Sequence, residues 1–294
     1  LALNEDPSSL EAYYHYALAA FKSKGKALYH LSYGVETIRP YFIDDVFKSS
    51  NCRFLARNQK SETRSQKPEA RSQKPEARSQ KIVHLVSCDS VYFLKYAENL
   101  ISSYVESDRS SVFLYCSIIN PSHDASILAD RLLSDYACVH FDFQYVNFPR
   151  DISDQWKKSF FACERFLRLP SVLKEFGLPV VVTDIDAYAI EDFSSKALSL
   201  IENHDFGLCA GVSSLKHYQP WIRISAGLVI INNTQRGCEF SDLICNYICN
   251  AFGWSYLENN WGIDQSALWA TLMYLNDKYG EQDFAKLRLK LLTT

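Results

Sequence analysis

Residues 178–193 read Leu-Pro-Val-Val-Val-Thr-Asp-Ile-Asp-Ala-Tyr-Ala-Ile-Glu-Asp-Phe. The valines Val180, Val181 and Val182 form an apolar, β-branched run of the kind buried on both faces of a sheet. Asp184 and Asp186 follow at once, separated by one residue. Strand side chains alternate faces, so residues i and i+2 project from the same side. At the carboxyl end of a strand in an open α/β sheet, that side opens on a ligand crevice. Two oxygen donors there suit a hard divalent cation, Mg²⁺ or Mn²⁺, and such a cation suits a diphosphate.

Strand and helix patterns alternate on either side of this stretch. Strands are predicted at 82–87, 112–119, 138–143, 179–183, 206–210 and 226–231. Helices are predicted at 91–105, 125–134, 156–176, 195–204, 237–251 and 264–274. That order implies an α/β domain over 82–294, with a mostly parallel open sheet and helices on both faces.

The N-terminal third differs. Within residues 1–56, Leu10, Tyr13, Tyr14, Ala17 and Phe21 recur at helical spacing, and Ala27, Leu28, Leu31 and Val35 begin a second stripe that Pro40 ends. The expectation is a helical hairpin, and two short helices after an Asp-Pro start resemble one tetratricopeptide-type repeat. Such helices would offer a surface to a protein partner. In residues 57–81 the heptapeptide Arg-Ser-Gln-Lys-Pro-Glu-Ala appears at 71–77, with copies starting at Arg64 and Arg78. Both full repeats bring a proline and no large apolar side chain, and the copy at Arg78 stops after four residues, so a coiled coil is excluded and a disordered linker is expected.

Net charge is −3 over 294 residues, which gives no overall attraction to nucleic acid. A hydrophobic fraction of 47% is enough for a sizeable core. The nine cysteines include no Cys-x-x-Cys pair, so neither a zinc ribbon nor a thioredoxin-type site is indicated. An odd number in a long chain reads as reduced, mostly buried thiols. No apolar run approaches the ~20 residues needed to cross a bilayer, and no signal peptide is visible at the start, which is Leu1 rather than Met. The expected location is cytoplasmic.

Three further motifs carry candidate chemistry. Asp89 and Tyr92 lie three apart where the first strand of the domain turns into a helix. There a carboxylate and a ring can grip a nucleoside, or Asp89 can simply cap the helix. Arg165 and Arg168 share a face of the helix preceding the aspartates, where a guanidinium could clamp a diphosphate or pair with a carboxylate. The strand around Ser225-Ala226-Gly227 is entered through small residues, which permits close approach of a sugar. Asp264 and Gln265 open the helix that follows, with Asp264 either capping it or pointing toward an acceptor hydroxyl.

In this order, over residues 81–274, the set resembles the GT-A fold nucleotide-sugar glycosyltransferases, in particular their glycogenin-like and galactosyltransferase-like branches. The resemblance implies that Asp186 binds the metal directly and that Asp184 touches the donor ribose and a metal-bound water. It implies that Asp89 and Tyr92 hold the base, and that Asp264 and Gln265 line the sugar or acceptor pocket. The implied reaction moves a hexose from a nucleoside-diphosphate sugar, a UDP-sugar by resemblance, to a hydroxyl of a glycan, lipid or protein. Those branches also supply a histidine ligand near the C-terminus, whereas here no histidine follows His217, and Ser225 stands where asparagine is more usual.

Two other readings share parts of the pattern. Haloacid dehalogenase phosphatases carry Asp-x-Asp on their first strand, whereas here it comes about 100 residues into the domain, with Tyr188 where Thr or Val is expected. A domain with a decayed site would instead be a sugar-nucleotide-binding scaffold or sensor. Nucleotidyl transfer lacks its expected Gly-rich loop.

Overall fold

A computed structural model describes residues 26–29, 39–42, 59–64, 82–107, 112–148, 150, 152–189, 193–210, 224–252, 262–284 and 289–292. The chain builds an α/β domain around one mixed sheet. Its strands are β3 (Gln59–Arg64), β4 (Ile82–Asp89), β5 (Val112–Ile119), β6 (Val139–Val146), β7 (Val180–Thr183), β8 (Phe206–Ala210), β9 (Ile224–Ile231) and β10 (Leu289–Leu292), in the spatial order β10-β8-β9-β7-β4-β5-β6-β3. The centre β7-β4-β5-β6 is parallel, while β9 runs antiparallel to both β7 and β8. The helices are α1 (Ser90–Ser107), α2 (His123–Asp135), α3 (Asp154–Phe176), α4 (Phe193–Ile201), α5 (Gln235–Phe252) and α6 (Ile263–Phe284).

Burial on both faces explains the apolar runs. In β4, Ile82, Val83, Leu85 and Val86 are all fully buried, as are Val180, Val181 and Val182 in β7. Alternation sends Val83, Leu85, Val180 and Val182 into a core with Phe160, Phe166, Leu169, Phe240 and Ile244, under α3 and α5. It sends Ile82, Val86 and Val181 to the other face, against Phe93, Leu100, Ile101, Leu132 and Ala197 of α1, α2 and α4. Burial of this kind contributes about 25 cal/mol per Å² of apolar surface.

Helix boundaries follow local chemistry. The Ser153 hydroxyl accepts from the Trp156 amide at the start of α3, and Gly177, with φ of 66°, closes its end in the left-handed region. Gly237 in α5 has no room for a side chain, since an added Cβ would meet the Asn232 carbonyl oxygen at 2.0 Å and that of Asp205 at 3.0 Å. Both obstacles are backbone atoms. Gly237→Ala is therefore expected to lose at least about 2 kcal/mol of stability, measured by urea unfolding.

Three segments depart from the sequence expectations. Lys26–Tyr29 (β1) and Arg39–Phe42 (β2) pair as a two-stranded antiparallel ladder, where a second helix was expected. Pro40 is tolerated there because a two-stranded ladder leaves one edge of each strand without a hydrogen-bonding role. The first helical stripe, at 10–21, lies outside the described residues. Within the expected linker, Gln59–Arg64 adds an antiparallel edge strand to β6, and residues 65–81 lie outside the described residues. At the opposite edge, β10 pairs parallel with β8, a strand the periodicity did not indicate. Seven described cysteines are free thiols, as expected, whereas Cys249 is disulfide-bonded. Among the described residues no helix is long and apolar enough to cross a membrane.

Candidate active site

The order β6-β5-β4-β7 places the reversal of strand order between β4 and β7, which run parallel. From β4 the chain proceeds outward through β5 and β6, then returns to the other side of β4 as β7. A crevice opens at such a switch point, beyond the carboxyl ends of the two strands. A cleft of about 730 Å³ lies there. Its wall is contributed by the end of β4 (Ser87 to Asp89), the start of α1 (Tyr92) and the turn after β7 (Asp184 to Asp186). The first half of α3, the Ser225–Gly227 stretch of β9 and the start of α6 complete it.

Asp184 and Asp186 both line this cleft, with the Ile185 side chain buried between them in the α1 face of the core. β7 itself ends at Thr183, so Asp186 reaches the cleft from a turn and not by strand alternation. Below the turn, the buried His84 ring bonds through Nε2 to the Thr183 hydroxyl at 2.6 Å. That hydroxyl donates to the Asp184 carbonyl at 2.9 Å, and the Ala187 amide donates to the same oxygen at 3.2 Å. Because the hydroxyl proton is committed, Nε2 of His84 carries its hydrogen and Nδ1 is the bare nitrogen.

Burial lowers the His84 pKa to about 3. An unfolded chain takes up a proton on this residue below about 6.5, which the folded chain refuses until about 3. Stability from this group is therefore complete above pH 6.5 and declines as pH falls toward 3, with a slope of about 1.4 kcal/mol per pH unit. His84→Gln keeps a donor to Thr183 and is expected to remove that slope, as read from urea midpoints between pH 6.5 and 4.5.

Arg165 is the centre of the cleft floor. Its side chain is only 2% exposed. Nη1 donates to Oδ1 of Asp184, and Nη2 donates to the Ala226 carbonyl at 3.2 Å and to Oδ2 of Asp264 at 3.3 Å. One guanidinium thus ties β7, β9 and α6 together. Asp264 is buried, and burial pushes its carboxyl pKa up while the Arg165 charge pulls against that rise. Its Oδ1 accepts from the Gln265 amide at 2.9 Å. Gly262, with φ of 82°, makes the turn that brings Asp264 and Gln265 to the cleft.

Asp89 and Tyr92 line the mouth. Asp89 Oδ1 accepts from the Tyr92 amide at 2.9 Å, so the helix-capping role is filled, and the side chain still faces the cleft. The Tyr92 ring is half exposed and lies 5.5 Å from Tyr96.

Arg168 does not join them. It bonds Glu164 at 2.7 Å and Gln144 at 2.6 Å, in a buried network with Asp142 and Tyr115 on β6 and β5. A shared helix face gives side chains the same general heading, but at a spacing of three residues they diverge by about 60°. Arg165 therefore reaches the β7–β9 side and Arg168 the β5–β6 side.

Sequence reasoning missed Ser87, Gln155, Lys158 and Ser159. Lys158 is exposed on the first turns of α3 and lines the cleft. The available signal was the helical spacing of 155, 158, 159, 162 and 165, which puts the polar residues on the stripe that carries Arg165.

No family model matches the chain, and no curated protein matches it either. Solved structures do show likenesses. The chain is similar to the apo WbbM bifunctional glycosyltransferase at 15% identity and a TM-score of 0.40, over 75% of this chain and 40% of that one. It is similar to apo mouse xyloside xylosyltransferase 1 at 8% identity and a TM-score of 0.37, over 72% of this chain and 84% of that one. It is similar to the galactosyltransferase LgtC in complex with donor and acceptor sugar analogs at 16% identity and a TM-score of 0.38, over 68% and 70%. These scores establish no family membership.

The donor set suits a hard cation in part. Asp184 and Asp186 bring carboxylate oxygens to one rim of the cleft, and one Asp184 oxygen is taken by Arg165. Among the described residues no group of three His, Cys, Asp or Glu side chains could hold a metal by itself. The two aspartates therefore fit an ion whose remaining ligands come from a bound phosphate and water, the way Mg²⁺ is commonly held.

Proposed function

We propose that the protein is a metal-dependent glycosyltransferase that moves a hexose from a nucleoside-diphosphate sugar, with UDP as the expected nucleotide, to an acceptor hydroxyl. The observation that carries this reading is the convergence of Asp89, Tyr92, Arg165, Asp184, Asp186, Asp264 and Gln265 on one cleft at the switch point. These residues come from separate elements and span 177 positions, 89 to 265 inclusive. Their order along the chain is the order that the resemblance requires.

Charge supports the same reading. The cleft is lined by four carboxylates, Asp89, Asp184, Asp186 and Asp264, and by two cations, Lys158 and Arg165. An anionic diphosphate entering such a cleft needs added positive charge. Mn²⁺ or Mg²⁺ held by Asp184 and Asp186 would supply it, and would stabilise the charge on the departing nucleoside diphosphate. Asp89 and Tyr92 would bind the base, with the exposed Tyr92 ring available for stacking. Arg165 would keep Asp184 oriented. Asp264 and Gln265 would face the sugar or the acceptor from the opposite wall, and Lys158 would meet phosphate or sugar oxygens from α3.

The acceptor is a hydroxyl on a glycan, lipid or protein, and the compartment is the cytoplasm. The N-terminal segment would add a protein partner. A screen of nucleotide sugars with Mn²⁺ tests the whole reading. Slow donor hydrolysis that stops on addition of EDTA is the expected result. Binding without turnover would turn the reading into a sugar-nucleotide sensor, and no binding of any nucleotide sugar would end it.

A further inference from the structure

The position of Arg165 depends on a hydroxyl from outside its own helix. In a regular α-helix the amide of residue i bonds the carbonyl of residue i−4. For Arg165 that carbonyl belongs to Phe161. Here the Ser87 hydroxyl, from the end of β4, donates to the Phe161 carbonyl at 2.8 Å and accepts from the Arg165 amide at 3.0 Å. The side chain thus bonds both backbone groups of one i, i+4 rung of α3. Ser87 is 6% exposed, and it lines the same cleft.

A polar side chain that engages the ladder of a helix can adjust the heading of the residues at that turn. The residue whose amide the hydroxyl holds is Arg165, whose guanidinium meets Asp184, Asp264 and the Ala226 carbonyl. We propose that Ser87 is a positioning residue. By bonding the Phe161 carbonyl and the Arg165 amide, it sets where Arg165 meets the two carboxylates, and through them the affinity of the cleft for a nucleoside diphosphate. The second half of this statement rests on the transferase reading, and the first half does not.

In Ser87→Ala the Phe161 carbonyl and the Arg165 amide are an i, i+4 pair that bond within the helix, so the fold is expected to be retained. What changes is the reach of the guanidinium. Threonine retains the hydroxyl and serves as the rescue variant.

Two measurements on the full chain separate the halves. In the first, melting temperatures are compared for wild type, Ser87→Ala, Asp264→Asn and the double variant. No hydrogen bond links Ser87 to Asp264 among the described residues, and Arg165 bonds both, so coupling between them is expected to pass through Arg165. The expected double-variant loss is clearly smaller than the sum of the single losses, and additive losses would overturn the proposal. In the second, calorimetry with uridine diphosphate and Mn²⁺ should show about 10-fold weaker binding for Ser87→Ala and recovery for Ser87→Thr. Unchanged affinity in Ser87→Ala overturns the link to binding. A wild-type protein that binds no uridine diphosphate counts against the transferase reading alone, and the melting comparison still decides whether Ser87 places Arg165.

Discussion

Asp186→Ala is expected to abolish donor hydrolysis and sugar transfer while leaving the melting temperature within a degree or two (roughly 0.5 kcal/mol) of wild type. The contrast follows from where the side chain sits. Asp186 is exposed, and its carboxylate makes no hydrogen bond or ion pair among the described residues. Removing it takes nothing from the core, because the buried member of that turn is Ile185. In the transferase reading its role is to hold the cation that offsets the charge of the leaving diphosphate. Loss of such a Lewis-acid contribution, several kcal/mol in the transition state, lowers turnover by a factor of about 10³ or more. The measurement is initial hydrolysis rate with saturating Mn²⁺, beside a thermal melt of the same preparation. Wild-type turnover in this variant would remove Asp186 from the chemistry.

Arg165→Ala should behave in the opposite way, losing stability and binding together. The guanidinium is the sole positive charge in contact with the buried Asp264 among the described residues, and it also holds Asp184. Breaking a buried ion pair from one side costs about 3–5 kcal/mol, because the other charge stays buried and uncompensated. Relief is available through protonation. Burial already raises the Asp264 pKa, and removal of the adjacent cation raises it further. The folded variant then binds a proton that the unfolded chain releases, so the penalty is greatest above the folded pKa and shrinks as pH falls through it. Urea unfolding should therefore show a larger deficit at pH 8 than at pH 5. Arg165→Lys should not rescue, since one ammonium cannot reach Asp184, Asp264 and the Ala226 carbonyl at once. An equal deficit at both pH values would show that Asp264 is not the group left exposed to its own charge.

Much of the α/β domain was legible in advance because its signals are local. Residues 112–119 and 206–210 are predicted and observed as the same strands, and the helix predicted over 156–176 is Asp154–Phe176. Each has an apolar period or run bounded by Pro, Gly or a capping residue. The edge strands β3 and β10 were not legible. Gln59–Arg64 is polar throughout and pairs through its backbone, which leaves no hydrophobic period to read. The β1–β2 ladder was misread because Ala27 and Leu28 fit a helical stripe, and only the pairing with Pro40 and Tyr41 decides otherwise.

The candidate site divides in the same way. Asp184 and Asp186 were assigned to one side of a strand end by the period of two, whereas β7 ends at Thr183 and a turn carries Asp186 to the same cleft. Which of Arg165 and Arg168 enters the cleft was beyond the reach of sequence, because both headings are allowed by the helix and the choice is made by Asp184 and Asp264 on one side and Glu164 and Gln144 on the other. The role of Ser87 was equally hidden, since its partners lie 74 and 78 residues away. The amino-acid order alone determined the succession of elements from β4 to α6 and the two neighbouring carboxylates, through short-range sterics and hydrophobic period. Only the folded chain decided which distant charges meet, because pairing across a sheet switch point depends on strand order, and strand order is settled by how the whole core packs.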